Sequence, residues 1–166
     1  DVFKNKHIPN EYVFSSIEQR VELLRGLMDT DGMCANKSST CYFYQKDILF
    51  VTQVLEILAS LGVQSHLSSK LIEGCLYWTV AFRPWFCPFK IARKALRWQP
   101  LVEGKNYASQ RRMITNVEPV ASRPVRCITV NAPDHLFLCG RGYIPTHNSY
   151  ATLNDIIVRA LTPAAD

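Results

Sequence analysis

Leu24-Arg25-Gly26-Leu27-Met28-Asp29-Thr30-Asp31-Gly32 is an apolar helical stretch that ends in two carboxylates and a glycine. Upstream, Ser15-x-x-Glu18 has the form of a capping box, and apolar residues recur at Ile17, Val21, Leu24, Leu27 and Met28. This spacing predicts a helix from about 16 to 28, stopped by Asp29-Thr30-Asp31-Gly32. Gly26 would let a second backbone approach closely, as where one helix packs on another. Carboxylates at the end of such a helix lie where a hard cation such as Mg2+ could take oxygen ligands. Helix termination by Asp and Gly is the competing use of the same residues.

Around this stretch residues 1–98 read as one compact α/β unit. Thr40–Gln45 is a strand candidate. Lys46–Leu61 is a second amphipathic helix, with Ile48, Val51, Leu55 and Leu58 on one face and Gly62 as its stop. Val63–Ser69 and Cys75–Phe82 form a hairpin about Glu73-Gly74. Pro88 opens a third helical stretch that places Lys90, Arg93, Lys94 and Arg97 along one face. Residues 99–148 change to short β-prone segments, Ile114–Val120, Val125–Val130 and His135–Cys139, divided by prolines and the Asn131–Asp134 turn. Residues 149–166 have helical spacing over Tyr150–Leu161.

The 166 residues are 48% hydrophobic, enough for one ordinary domain or two small ones. No apolar run approaches the roughly 18–20 residues that span a bilayer, and the first residues do not read as a signal peptide. An intracellular, cytoplasmic chain without a membrane partner is expected. It starts at Asp1 rather than Met and reads as a piece of something longer. The cysteines at 34, 41, 75, 87, 127 and 139 form no CxxC pairs, so buried free thiols are expected rather than disulfides or zinc. Net charge is +5, yet Arg83 to Arg126 alone holds ten basic residues against two acids. Such a block suits a phosphate backbone, or simply a solvated face.

Chemistry concentrates again near the end, at Asp134-His135-Leu136-Phe137 and Pro145-Thr146-His147-Asn148-Ser149. Asn148 can attack its own backbone carbonyl through its side-chain amide, breaking the bond to Ser149. His147 can protonate the departing amine, and His135, from a neighbouring strand, can activate the amide. Ser149 is a hydroxyl nucleophile able to accept an acyl group, while a hairpin end with two incidental histidines and an Asn turn is the competing reading and the stronger one for His-Asn-Ser alone.

These features carry a resemblance. LRGLMDTDG resembles the LAGLIDADG motif of DOD-type homing endonucleases found within inteins, with Arg25 where the eponymous pattern has Ala. The helix–strand–helix–hairpin order is similar to that family's continuation. Lys6-His7-Ile8-Pro9 resembles the Lys-x-Ile-Pro element that precedes the second such helix. The resemblance implies that Asp31 binds the catalytic Mg2+, with Asp29 the weaker metal candidate. It also places Lys6 at the DNA-cutting centre, and makes Leu24–Gly32 the second motif, its first lying outside this chain. Val125-Arg126-Cys127-Ile128-Thr129-Val130, His135-Leu136-Phe137 and His147-Asn148-Ser149 resemble the last splicing blocks of an intein. Most inteins carry Asp where this chain has Cys127. A cysteine there starts splicing in one mechanistic class, and a structural thiol is the other reading.

The expected architecture is α+β. Residues 1–98 would be an αββαββα LAGLIDADG half-domain and 99–148 the C-terminal all-β part of a Hint splicing domain. Residues 149–166 would open the host protein, the C-extein. Its partners would be a double-stranded DNA target, contacted by Lys90, Arg93, Lys94 and Arg97, the missing N-terminal intein half, and the host. Ser149 before an amphipathic helix fits a host interrupted within a P-loop, such as a phage terminase ATPase. Two alternatives remain: a LAGLIDADG protein that binds DNA without cutting or splicing, and a free-standing homodimeric endonuclease.

Overall fold

A computed structural model of the chain describes residues 6–100, 116–122, 124, 126, 128–140 and 142–147. Contacts divide it into two units, 1–113 and 114–166. Among the described residues no helix is long and apolar enough to cross a membrane.

The first unit runs α1 (Asn10–Val13), α2 (Ile17–Asp31), β1 (Gly32–Cys34), β2 (Cys41–Gln45), α3 (Ile48–Ser60), β3 (Ser65–Ile72), β4 (Cys75–Phe82) and α4 (Ala92–Ala95). The capping box lies one residue later than expected. Ser16 Oγ accepts from Gln19 N (3.3 Å) while Gln19 Oε1 accepts from Ser16 N (3.3 Å). Ser15 is already committed, because its hydroxyl donates to Tyr12 O (2.8 Å) and closes α1. The helix also outlasts its expected end by three residues and leads without a loop into β1. Gly32 at this corner is extended, with φ −103° and ψ 156°. Its role is steric: a Cβ there would lie 2.6 Å from the Met28 side chain and 2.7 Å from Met28 Cα.

Asp47 caps α3 by accepting from Leu49 N (2.8 Å) and Phe50 N (3.3 Å). At the other end Val63 N donates to Leu58 O (2.9 Å) and Gly62 N to Ala59 O (3.0 Å), with Gly62 at φ 71°. That is a Schellman close, which requires the left-handed glycine. The buried stripe of α3 is Phe50, Val51, Val54, Ile57 and Leu58, turned from the expected face so that Ile48 is exposed. β3 and β4 pair from Ser65↔Phe82 to Ile72↔Cys75 about a two-residue turn, Glu73 and Gly74, both at positive φ.

The four strands are antiparallel in the order β1-β2-β4-β3. One face holds Cys41, Phe43, Val80 and Phe82, buried together with Leu24 and Met28 of α2 and Val51, Val54, Ile57 and Leu58 of α3. Strand alternation sends Met33, Tyr42, Tyr44, Thr79 and Ala81 to the other, open face. The basic stretch after Pro88 is helical only at Ala92–Ala95, much shorter than its periodicity implies. Phe89 is buried in the core, which holds the chain ahead of the helix down against it.

In the second unit β5 (Phe137–Cys139) and β6 (Ile144–Thr146) form a hairpin, with Phe137↔Thr146 and Cys139↔Ile144 paired. Gly140 (φ 67°) and Tyr143 (φ 49°) shape its loop. The strands expected over Ile114–Val120 and Val125–Val130 do not form at the residues described there, 116–120, 126 and 128–130. His135 belongs to a turn before β5, not to a strand: its φ is 53°, its N donates to Ala132 O, and Asp134 Oδ1 accepts from Leu136 N. β6 is hidden in the sequence by Pro145, which an edge strand tolerates. Cys127, Asn148, Ser149 and the helix expected over Tyr150–Leu161 lie outside the described residues.

Candidate functional site

Asp31 is the last residue of α2, and its exposed carboxylate is met from two directions. Lys6 Nζ lies 3.5 Å from Oδ2, and Gln45 Nε2 at the end of β2 donates to the same oxygen at 3.4 Å. Lys6 reaches this place because its segment is fastened to α3. Ile8 N donates to Gln53 Oε1 and Gln53 Nε2 donates to Ile8 O, both at 2.7 Å, while the Ile8 side chain is buried. The side-chain amide of Gln53 thus serves as a one-residue strand partner. The Lys6 ammonium also sits 5.0 Å from the centroid of the Phe50 ring.

Asp29 is differently employed. Its carboxylate accepts from the backbone N–H groups of Lys90 (3.2 Å) and Ile91 (3.3 Å), just ahead of α4. α4 answers by sending Lys94 back. The Lys94 ammonium donates to Gly32 O (2.7 Å), Asp29 O (2.8 Å) and Met28 O (3.0 Å), carbonyls at the corner where α2 ends and β1 begins. This cation at a helix C-terminus satisfies those oxygens and the negative end of the helix dipole. Desolvation, reinforced by neighbouring Arg93, holds the Lys94 pKa below the ordinary lysine value.

The four basic residues expected to line DNA are therefore not one free stripe. Lys94 is committed to α2, and Lys90 forms an ion pair with Glu22, which also takes Arg25 at 2.7 Å. Hydrogen bonds from Lys90, then Arg25, hold the Glu22 carboxyl below its usual range. Arg93 and Arg97 remain exposed. A spacing of three or four cannot distinguish a lysine facing phosphate from one buried under a neighbouring helix. Gln45, by contrast, has a readable position at the end of a strand, but its pairing with Asp31 depends on register.

The described residues contain no group of three or more metal-ligating side chains. At Asp31 a magnesium ion would find one carboxylate. Mg2+ keeps several waters and commonly takes one or two carboxylates plus phosphate oxygens, so this donor set fits a site completed by substrate or by a second carboxylate.

Around the site the open sheet face presents Tyr42 and Tyr44, stacked at 6.4 Å between centroids, and Lys46 over the Tyr77 ring at 4.8 Å. The thiols divide rather than all being buried: Cys34 and Cys41 are buried, Cys87 is half-buried, and Cys75 and Cys139 are exposed. Burial raises the Cys41 thiol far above its usual range.

In the second unit the rings of His135 and His147 meet edge to face, 6.4 Å between centroids. The β5–β6 pairing explains this, since His135 enters the hairpin where His147 leaves it. His135 Nδ1 also lies 3.3 Å from Val130 O.

Residues 18–80, from α2 into β4, match the family model of the LAGLIDADG-like domain. A replicative DNA helicase DnaB of Mycobacterium intracellulare is 35% identical over 153 residues, 89% of this chain and 26% of that protein. A replicative DNA helicase DnaB of Mycobacterium leprae (strain TN) is 56% identical over 36 residues, 22% of the chain and 6% of the helicase. The chain thus spans about a quarter of the first relative and far less of the second. No solved structure matches it significantly. A LAGLIDADG-like domain on a mixed α/β framework is the common ground of sequence, fold and comparison.

Proposed function

We propose that the chain is the C-terminal part of an intein, carrying the second half of a Mg2+-dependent homing endonuclease and the C-terminal splice junction. The observation that carries the nuclease half is the convergence of Lys6 and Gln45 on Asp31 at the end of α2. Asp31 would bind the metal beside the scissile phosphate, Lys6 would stabilise the developing charge, and Gln45 would orient the carboxylate. The open sheet face would lie along double-stranded DNA, with Arg93 and Arg97 toward its phosphates. A second LAGLIDADG helix would pack where Gly26 is exposed with nothing near its Cβ position.

For splicing, the side-chain nitrogen of Asn148 attacks the Asn148 carbonyl carbon. A C–N bond forms, the attacking amide gives up a proton to His135, the peptide bond to Ser149 breaks, and the leaving nitrogen takes a proton from His147. In complete splicing Ser149 would first accept the N-terminal host segment as an ester. The meeting of His135 and His147 supports this chemistry. Cys127 would act as modulator or alternative nucleophile, or serve only as a structural thiol. The helicase similarity makes a replicative DNA helicase a simpler host than a phage terminase.

Mass spectrometry of the purified chain tests the splicing half, with release of residues 149–166 expected in wild type. No release is expected from Asn148→Ala, and slowed release from His147→Ala. A folded chain that never cleaves, alone or with an N-terminal half, would favour the DNA-binding alternative. Asp31→Asn should abolish DNA cutting by the reconstituted enzyme and leave Asn148 cleavage unchanged. Unaltered cutting would remove Asp31 from the metal site.

A further inference from the structure

A cleft of about 340 Å3 opens at the end of the sheet away from Asp31, where β3 begins and β4 ends. Gln45, which touches Asp31, pairs with Trp78, whereas the cleft is lined by Ala81, Phe82 and Arg83. It therefore lies about 13 Å further along β4, at roughly 3.3 Å per residue.

Three features define what it could hold. No acidic residue lines it. Arg83, exposed on its wall, donates through Nε to Thr40 Oγ1 (3.0 Å) and forms no ion pair among the described residues. Trp85 is 59% exposed, yet its indole N–H is anchored to Leu61 O at 3.1 Å, so a large flat ring is held at the rim at fixed orientation. An acid-free wall with a guanidinium favours an anion, and a fixed exposed aromatic favours a flat apolar surface.

The cleft also continues the open face. Met33, Tyr42, Ala81 and His66 are successive cross-strand partners across all four strands, and Ala81 and His66 line the cleft. A strand crossing that face would reach it directly.

We propose that this cleft is a subsite for one unstacked nucleotide of a DNA strand, its phosphate on Arg83 and its base against Trp85. The assignment of DNA as occupant rests on the nuclease function proposed above. Base–aromatic stacking contributes enough to single-strand binding that losing the platform should be readily measurable.

The test titrates the full chain with a short single-stranded DNA oligomer containing 2-aminopurine, and with a blunt duplex. The wild type should quench the 2-aminopurine saturably. Trp85→Ala should weaken oligomer binding about tenfold, within the range expected for one stacked base. Arg83→Gln should weaken it and lower its salt slope by about one charge. Duplex binding should change little in either variant, with circular dichroism showing the fold retained. Variants that bind the oligomer like wild type overturn the proposal. So does duplex binding without any 2-aminopurine quenching, which leaves the nuclease function standing. A wild-type chain that binds neither DNA overturns both. If dAMP alone binds as tightly as the oligomer, the cleft is a free-nucleotide site and the assignment to a DNA strand fails.

Discussion

Asp29 and Asp31 belong to the same last turn of α2 but serve different partners. One accepts from the backbone ahead of α4, and the other faces Lys6 and Gln45. Lys94 completes the first arrangement by capping α2. Lys94→Met keeps the aliphatic bulk and leaves these carbonyls without their charged donor. At this partly exposed position a loss of about 1–2 kcal/mol is expected. Thermal melting should show a fall of several degrees, and a DNA-binding defect with unchanged melting temperature would return Lys94 to the phosphate role. The thiols make a second residue-scale prediction. Cys75 and Cys139 should react quickly with an alkylating reagent, whereas Cys34 and Cys41 should react only on unfolding, because burial keeps them inaccessible and protonated. Peptide mapping after brief alkylation would show it, and early labelling of Cys41 would contradict the core placement. Lys6 and Asp31 can be nominated from motif order, but no local pattern distinguishes the uses of Asp29 and Lys94. Both depend on contacts more than sixty residues apart in sequence.

Among the elements, those governed by local signals are the most legible. α3 with its glycine stop, and the β3–β4 hairpin about Glu73-Gly74, follow from periodicity and turn chemistry. The N-terminus of α2 reads one residue early in the sequence because two adjacent serines compete, and only the contact of Ser15 with Tyr12 decides between them. Ser16→Ala should therefore cost about 1 kcal/mol, while Ser15→Ala should cost less. Denaturant unfolding of the two variants compares them directly, and equal losses would contradict the observed box. α4 reads too long because the spacing of its basic residues persists beyond the single turn that packing permits. β6 escapes notice for the opposite reason, since Pro145 masks a short edge strand.

For the whole molecule, composition places a division near 98–99, and the contact boundary falls at 113–114. Among the described residues, every buried hydrophobic member of the core lies between Ile8 and Phe89. The described part of the second unit contributes a hairpin and none of that core. A chain shortened to residues 1–113 should consequently keep a cooperative melt within about 5 °C of the longer chain, a shift of roughly 1 kcal/mol for a domain of this size. Calorimetry decides it, and loss of the transition would show that the first unit depends on residues 114–166. Of the strands expected within 99–148, only His135–Cys139 has a counterpart among the described residues, the shorter β5, because short strands take their stability from pairing partners.

The corner at Gly32 bears on how such a protein can be altered. With Met28 packed where any side chain would begin, α2 and β1 are joined by a hinge that is sterically full. The open-face positions Tyr42, Tyr44 and Thr79 are under no such constraint, since they point away from the core. Under the function proposed above, selection or engineering could thus retune which DNA sequence the open face contacts while the spacing between Asp31 and the sheet stays the same. On that reading, recognition would be free to drift over a chemical centre held in place by the absence of a methyl group at Gly32.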